Sequence, residues 1–326
     1  SSGLGLGVTA FADRFEPDDD PDPSSPAPAM PIAAAAAPSK PDRERGSNFY
    51  LADDRGLARG WKERARDNVA AIRLAVEIEA DERPATAEEQ EQLIRFTGFG
   101  ASDLANGVFR RPGEVDFRKG WDEIGTDLED AVGEGDYTSL ARCTQYAHFT
   151  PEFIVRAIWS GLERMGWRGG RVLEPAAGVG HFIGAMPRDL AQRCTVTAVE
   201  IDRLAGRLLQ ALYGPNGVDV RVDAFEKVSL PESWFDLAIG NVPFGNYKTA
   251  DARPRAYARF SIHNYFFGRA LDLVRPGGLV CLITSSHTME AQAESVRDYI
   301  AAQAHLLGAI RLPKGAFAGL ASTEVQ

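Results

Sequence analysis

Arg171-Val172-Leu173-Glu174-Pro175-Ala176-Ala177-Gly178-Val179-Gly180-His181-Phe182 reads as a short apolar strand that breaks at a proline and a glycine turn, then re-emerges as a helix. Glycines allow backbone conformations and close approaches that a Cβ would exclude, so such a turn suits a ligand seated at the helix start. A dinucleotide fingerprint would carry a third glycine three residues after Gly180; Ile183 stands there instead, which weakens a nicotinamide reading. The plain alternative is a tight strand-to-helix connection with no ligand.

Working outward, the chain after Tyr146 alternates short apolar runs with amphipathic stretches. Strands are expected over 171–174, 195–200, 218–222, 235–239, 279–284 and 306–311, and helices over 151–165, 202–213, 265–274 and 290–303. Thr150 is expected to cap the first of these helices, with Pro151 at its first position and Glu152 in its first turn. This order specifies a doubly wound, Rossmann-like α/β domain over 146–326, whose ligands bind beyond the carboxyl ends of the strands. Ahead of it, 46–145 reads as a small helical N-terminal region in which Val69, Ile72, Leu74, Ala75 and Ile78 recur at helical spacing. There Pro84 separates two helices and Thr97-Gly98-Phe99-Gly100 makes the closing turn. Packing or docking is its expected role. Residues 1–45 are rich in Pro, Ala and Ser and carry Asp18, Asp19, Asp20 and Asp22; with few large apolar groups they are expected to be a disordered tail.

With 326 residues and 44% apolar content, the chain can bury one large core with an appendage. No apolar run approaches the ~18 residues of a membrane helix, and the first residues lack the order of a secretory signal, so a cytoplasmic protein without membrane contact is expected. Cys143, Cys194 and Cys281 are widely spaced and form no ligand pattern, so neither a metal nor a disulfide framework is expected. The net charge of −10 divides into −4 over 1–45, −8 over 46–145 and +2 over 146–326. The acidity lies outside the α/β domain, which leaves nucleic acid open as a partner.

Three further motifs follow the strands. Val199-Glu200-Ile201-Asp202 ends the second strand, where the Glu200 carboxylate is placed to accept from both hydroxyls of a ribose lying over the glycine turn. After the third strand, Asp223 is placed to accept from an adenine amino group with Phe225 packing on the ring; a helix-capping aspartate is the equal alternative. After the fourth strand comes Gly240-Asn241-Val242-Pro243-Phe244. An aromatic amine is a poor nucleophile because its lone pair is delocalised, so two acceptors must hold its hydrogens while a flat side chain positions the ring.

Asn241 to Phe244 resemble the fourth motif of the amino-methyltransferases, Asp/Asn/Ser-Pro-Pro-Tyr/Phe/Trp. The resemblance implies a gamma-type N6-adenine DNA methyltransferase that uses S-adenosylmethionine. In it, Asn241 and the Val242 carbonyl are the acceptors, Pro243 keeps Val242 extended, and Phe244 stacks on the base. Val242 departs from the pattern, where the first proline would stand. Phe149 and Thr150 resemble the tenth motif at the methionine end of the cofactor, joined there by Glu174, Pro175, Ala176, Gly178 and Gly180. Lys248, Arg253, Arg255 and Arg259, interleaved with Tyr247 and Tyr257, make a loop suited to phosphates near a flipped base, with a solvated charged loop as the alternative.

More widely, Arg83-Pro84-Ala85-Thr86, Ser261-Ile262-His263-Asn264-Tyr265-Phe266-Phe267 and Gly308-Ala309-Ile310-Arg311-Leu312-Pro313 are similar to the methylase part of methylase-helicase fusions of bacterial mobile elements and phages. By that resemblance Phe317 is a second base-stacking aromatic and a helicase domain or subunit is a partner. Members of that family enter a last strand, inserted between the fifth and sixth, near where this sequence stops; a missing interior strand implies a truncated, marginally stable domain. A protein glutamine or an RNA base as the methyl acceptor, and an inactive fold supporting a helicase, remain the alternative readings.

Overall fold

The computed structural model describes residues 6–12, 48–51, 55–111, 113–143, 150–292, 294–313 and 315–317. The first element is strand β1 (Leu6–Ala12), followed by helices α1 (Trp61–Ala80), α2 (Ala87–Leu93), α3 (Ser102–Val108) and α4 (Asp122–Cys143). α1 buries Val69, Ile72, Ala75 and Ile78, the stripe its spacing predicts. A capping box opens α2: the Thr86 hydroxyl accepts from the Glu89 N–H at 3.2 Å, and the Glu89 carboxylate accepts from the Thr86 N–H at 2.8 Å. Asn68, fully buried on α1, clamps the turn that follows. Its Nδ2 donates to the Gly98 carbonyl at 2.6 Å and its Oδ1 accepts from the Thr97 N–H at 2.8 Å. α3 and α4 were not legible as periodic stretches because α3 has only 7 residues and α4 is broken at Gly133, where φ is 75°.

The second part of the chain contributes α5 (Glu152–Arg164), β2 (Gly170–Glu174), α6 (His181–Gly184), α7 (Arg188–Ala191), β3 (Cys194–Glu200), α8 (Arg203–Tyr213), β4 (Asp219–Val222) and β5 (Phe235–Asn241). It ends with α9 (Ile262–Leu273), β6 (Val274–Ser285), α10 (His287–Glu290), α11 (Ser295–Ala301) and β7 (His305–Arg311). All six expected strands are present. They lie in a seven-stranded sheet of order β4-β3-β2-β5-β6-β1-β7, in which β4, β3, β2, β5 and β6 run parallel.

Strand side chains alternate between two apolar clusters, as a sheet covered on both faces requires. Val172, Leu237, Ile239, Cys281 and Ile283 face one cluster, while Leu173, Ala238, Val280 and Leu282 face the other. The first cluster also contains Ile72, Leu93, Phe99 and Leu128. The helical N-terminal region therefore shares the core of the sheet instead of standing apart from it. Strand order reverses between β2 and β5, so the carboxyl ends carrying Glu174 and Asn241 flank the switch point at which such sheets bind ligands.

Two expectations change. The interior position between β6 and β7 is filled by β1, antiparallel to both, with registers from Leu6↔Ser285 to Phe11↔Val280 and from Gly7↔Arg311 to Ala12↔His305. Within the expected tail of 1–45, Leu6–Ala12 is thus a strand; its seven residues are diluted by the Pro-, Ala-, Ser- and Asp-rich stretch after them, and the otherwise unpaired edges of two neighbours order it. The other described expectation to change is the helix cap. Pro151, not Thr150, is the N-cap of α5, and it makes no side-chain cap bond because a proline has no side-chain acceptor.

Removing residues 1–12 should expose both inner edges. At roughly 1 kcal/mol for each lost ladder bond, the loss should exceed about 3 kcal/mol, read as a lower urea midpoint than that of the full chain. Equal midpoints would contradict the pairing.

Candidate active site

The glycine turn is held by the strands around it. The Ala177 N–H donates to the Val199 carbonyl at 2.9 Å, which ties the turn to the end of β3. Gly178, at φ +57°, donates its N–H to Glu200 Oε2 at 2.7 Å, while the other oxygen of Glu200 accepts from the Asp202 N–H at 2.8 Å. Each carboxylate oxygen keeps a lone pair for a further donor. Gly180 has φ +83°, and a Cβ there would lie 2.5 Å from the Tyr213 ring and 2.8 Å from Leu209. Its need for glycine comes from the packing of α8, not from the ligand approach suggested by the sequence.

Two acids are shut in beside this turn. Glu174 is 2% exposed and its Oε2 has no hydrogen-bond partner among the described residues. Burial, then the charge of Glu200, pushes its carboxyl well above the usual range, which favours its protonated form. Glu200 is raised to about 7, because burial outweighs the backbone N–H groups of Asp202 and Gly178 that favour its ionised form.

At the tip of β5, Gly240 backs directly onto this acid: a Cβ would lie 3.5 Å from Glu174 Cγ and 3.7 Å from Pro175 Cδ. The next residue, Asn241, has a buried Oδ1 with no partner among the described residues. Val242 is 2% exposed, and its N–H donates to the Ile283 carbonyl at 3.2 Å. That bond extends the β5–β6 pairing by one residue and is one a proline could not make. Pro243 is half-buried, and half-buried Phe244 packs against both apolar clusters. The glycine turn and the Asn241 motif, separated by some sixty residues of sequence, are thereby brought into contact.

Other candidates divide. Thr150 is buried beside His181, half-buried Ala176 packs against the second cluster, and Phe149 lies outside the described residues. Asp223 is exposed, and its Oδ1 accepts from the Ala224 N–H at 2.7 Å; a turn follows it, not a helix, so it caps none. Phe225 is 3% exposed, with the Phe266 ring 4.8 Å away and the Arg269 guanidinium 4.3 Å over its face, so it is a core aromatic. Arg253 is a strut of its own loop: it forks onto Asp251 at 2.7 Å and donates to the Glu226 carbonyl and the Tyr265 hydroxyl. Arg255 pairs with Glu232 and Asp272. Lys248 and Arg259 are exposed. Phe317 is buried in the first cluster, which Phe244 also touches, so it presents no open stacking face.

Several site-neighbouring residues escaped the sequence reading. His263 and Asn264 are buried at the start of α9, where Ser261 Oγ meets the His263 ring at 3.2 Å and the Asn264 amide at 3.0 Å. Burial holds His263 down to about 4. Arg269 is buried with its guanidinium donating to the carbonyls of Phe225 and Val228, and so anchors the loop after Asp223. Single polar residues in an apolar stretch carry no period, which is why none of them stood out. Among the described residues no His, Cys, Asp or Glu cluster could hold a metal, and no helix is long and apolar enough to cross a membrane.

Over residues 216–317 the chain is similar to the Eco57I restriction-modification methylase family. This Eco57I-type segment contains β4, β5, the Asn241 motif, α9, β6 and β7. The chain is also similar to the "Defense against restriction protein B" of Escherichia phage P1, with 33% identity over 231 residues. The alignment covers 70% of this chain and 10% of that protein, so the chain spans about a tenth of its relative's length. Among solved structures, it resembles a protein of Listeria monocytogenes assigned as a class I S-adenosylmethionine-dependent methyltransferase, at 15% identity and a TM-score of 0.43, over 74% of this chain and 80% of the other. It also resembles the methyltransferase subunit of a type I restriction-modification system of Streptococcus thermophilus, at 14% identity and a TM-score of 0.38, over 55% of this chain and 46% of the other.

The buried acids give a pH signature. An acid whose folded pKa is raised binds its proton more tightly in the native state, so its contribution is fully present below the unfolded value near 4.5 and is lost as pH rises toward the folded value. Glu174→Gln mimics the protonated form and should flatten that fall. Urea unfolding at mildly acidic and mildly alkaline pH should show the variant at least as stable as the wild type at the higher pH; a large loss there would rule out a neutral Glu174.

Proposed function

We propose that this chain transfers a methyl group from S-adenosylmethionine to an exocyclic amino group, with adenine N6 in DNA as the target. The observation that carries the reading is the buried, unpartnered Oδ1 of Asn241, one residue from the contact between Gly240 and the Glu174-Pro175 turn. An orphaned buried acceptor is unfavourable by about 1–3 kcal/mol unless a ligand donor satisfies it.

The residues at the turn suit the cofactor. Glu200 retains lone pairs for ribose hydroxyls, and Glu174 has an unsatisfied oxygen for a donor on the methionine part, with Thr150, Pro175, Ala176, Gly178 and Gly180 around it. Asp223, exposed with one oxygen on Ala224, is available to an adenine amino group. When bound, S-adenosylmethionine supplies a methyl group made electrophilic by its sulfonium. Asn241 Oδ1 and the Val242 carbonyl accept the two amine hydrogens, which returns lone-pair density to the nitrogen and holds it in line. Phe244 supplies the flat surface that positions the base. The restriction-modification family and the phage relative named for defence against restriction support DNA as the polymer, and a helicase acting alongside belongs to the same reading.

Asn241→Ala should lower methyl transfer to adenine-containing DNA by about 100-fold or more with the melting temperature unchanged, measured by incorporation of labelled methyl. Transfer to RNA or to a protein glutamine with none to DNA would replace the DNA assignment. Exposed Lys248 and Arg259 are the phosphate ligands in this proposal. Replacing either by alanine should lower the slope of log affinity against log salt by about 1, whereas Arg253→Ala should chiefly destabilise the fold. Unchanged salt slopes for both exposed variants would remove this loop from the DNA path.

A further inference from the structure

Arg55 belongs to none of the motifs above, yet its side chain is wholly buried. It is paired with Glu152 at the start of α5, donates to the Ile94 carbonyl at 3.4 Å, and places Nη1 3.0 Å from His181 Nε2. A guanidinium only donates, so His181 Nε2 must accept. The imidazole is then neutral with its proton on Nδ1, which lies 3.3 Å from the Thr150 carbonyl and donates to it. Burial, reinforced by the Arg55 charge, holds His181 well below its ordinary range and agrees with this tautomer.

The relay joins three separate parts of the chain. His181 directly follows Gly180 of the glycine turn, Thr150 precedes α5, and Arg55 comes shortly after the described segment 48–51. In that segment Phe49 donates to the Leu212 carbonyl at 3.1 Å and Leu51 to the Gly184 carbonyl at 2.8 Å, while Arg156 donates to the Leu51 carbonyl at 2.8 Å. A segment that sequence reading treats as packing thus holds the turn and Thr150 in one geometry.

We propose that Arg55 is a positioning residue for the cofactor site, fixing the glycine turn and Thr150 through His181, so that the N-terminal region is part of the binding site. The inference rests on the methyltransferase reading above, because it assigns the glycine turn and Thr150 to S-adenosylmethionine. Arg55 touches no reacting atom, and its effect falls on cofactor affinity.

The test uses the full chain, with binding of S-adenosylhomocysteine measured by calorimetry and steady-state methyl transfer as cofactor concentration is varied. Arg55→Met keeps the length and removes the donors; it should raise Kd and the cofactor KM by about tenfold or more, with kcat at saturating cofactor within about twofold of wild type. His181→Ala should behave alike. His181→Asn keeps an acceptor for Arg55 and a donor for Thr150 and should stay within about threefold of wild type. If Arg55→Met does not fold, the two His181 variants decide. Wild-type Kd in a folded Arg55→Met, a fall in kcat at unchanged KM, or an Asn variant as weak as Ala would overturn the relay. Failure of the wild type itself to bind S-adenosylhomocysteine would instead remove the methyltransferase reading, and the relay with it.

Discussion

The structure depends on where β2 ends. Its last residue, Glu174, is closed in by Gly240 on the β5 side and by Glu200 at the end of β3, and such enclosure favours the protonated form of the acid. A shift in the β2–β5 register would separate the glycine turn from the Asn241 motif. Parallel pairing of Val172 with Leu237 and of Leu173 with Ala238 sets that register. Because both strand faces are buried, slipping by one residue would exchange the two apolar clusters, so the register is strongly specified.

Around this point the protein accumulates polar groups that its own contacts leave incomplete. Glu174 and Asn241 have unpartnered oxygens, and Glu200 is raised to about 7 despite accepting two backbone N–H groups. Other polar groups are engaged by the fold: Asn68 on the Thr97–Gly98 turn, Asp251 on Arg253 and Tyr265, and the two Nη atoms of Arg269 on two carbonyls. Among the described residues, the buried oxygens of Glu174 and Asn241 are thus left at the strand ends of the switch point, where a ligand can supply the missing partners.

Two residues show how one side chain takes a different part from the one its motif suggests. Val242 stands where the resemblance leads one to look for proline, and its N–H uses the difference to lengthen the β5–β6 pairing. Gly180 sits in a ligand turn, yet what lies against it is Tyr213 from α8. In the basic loop, charge alone did not distinguish Arg253, folded back onto Asp251, from exposed Lys248 and Arg259.

The sequence by itself determined the α/β alternation, the six strands after residue 170 and the order of the glycine turn, Glu200, Asp223 and Asn241 along them, because strand and helix periods and turn residues are local properties of the chain. Tertiary structure alone decided the rest. β1 is a strand because two distant edges pair with it, Arg55 meets His181 across 126 residues, and Phe225 and Phe317 are buried by neighbours far along the chain. Those outcomes depend on which surfaces meet, and a side chain's own neighbours in sequence carry no record of that.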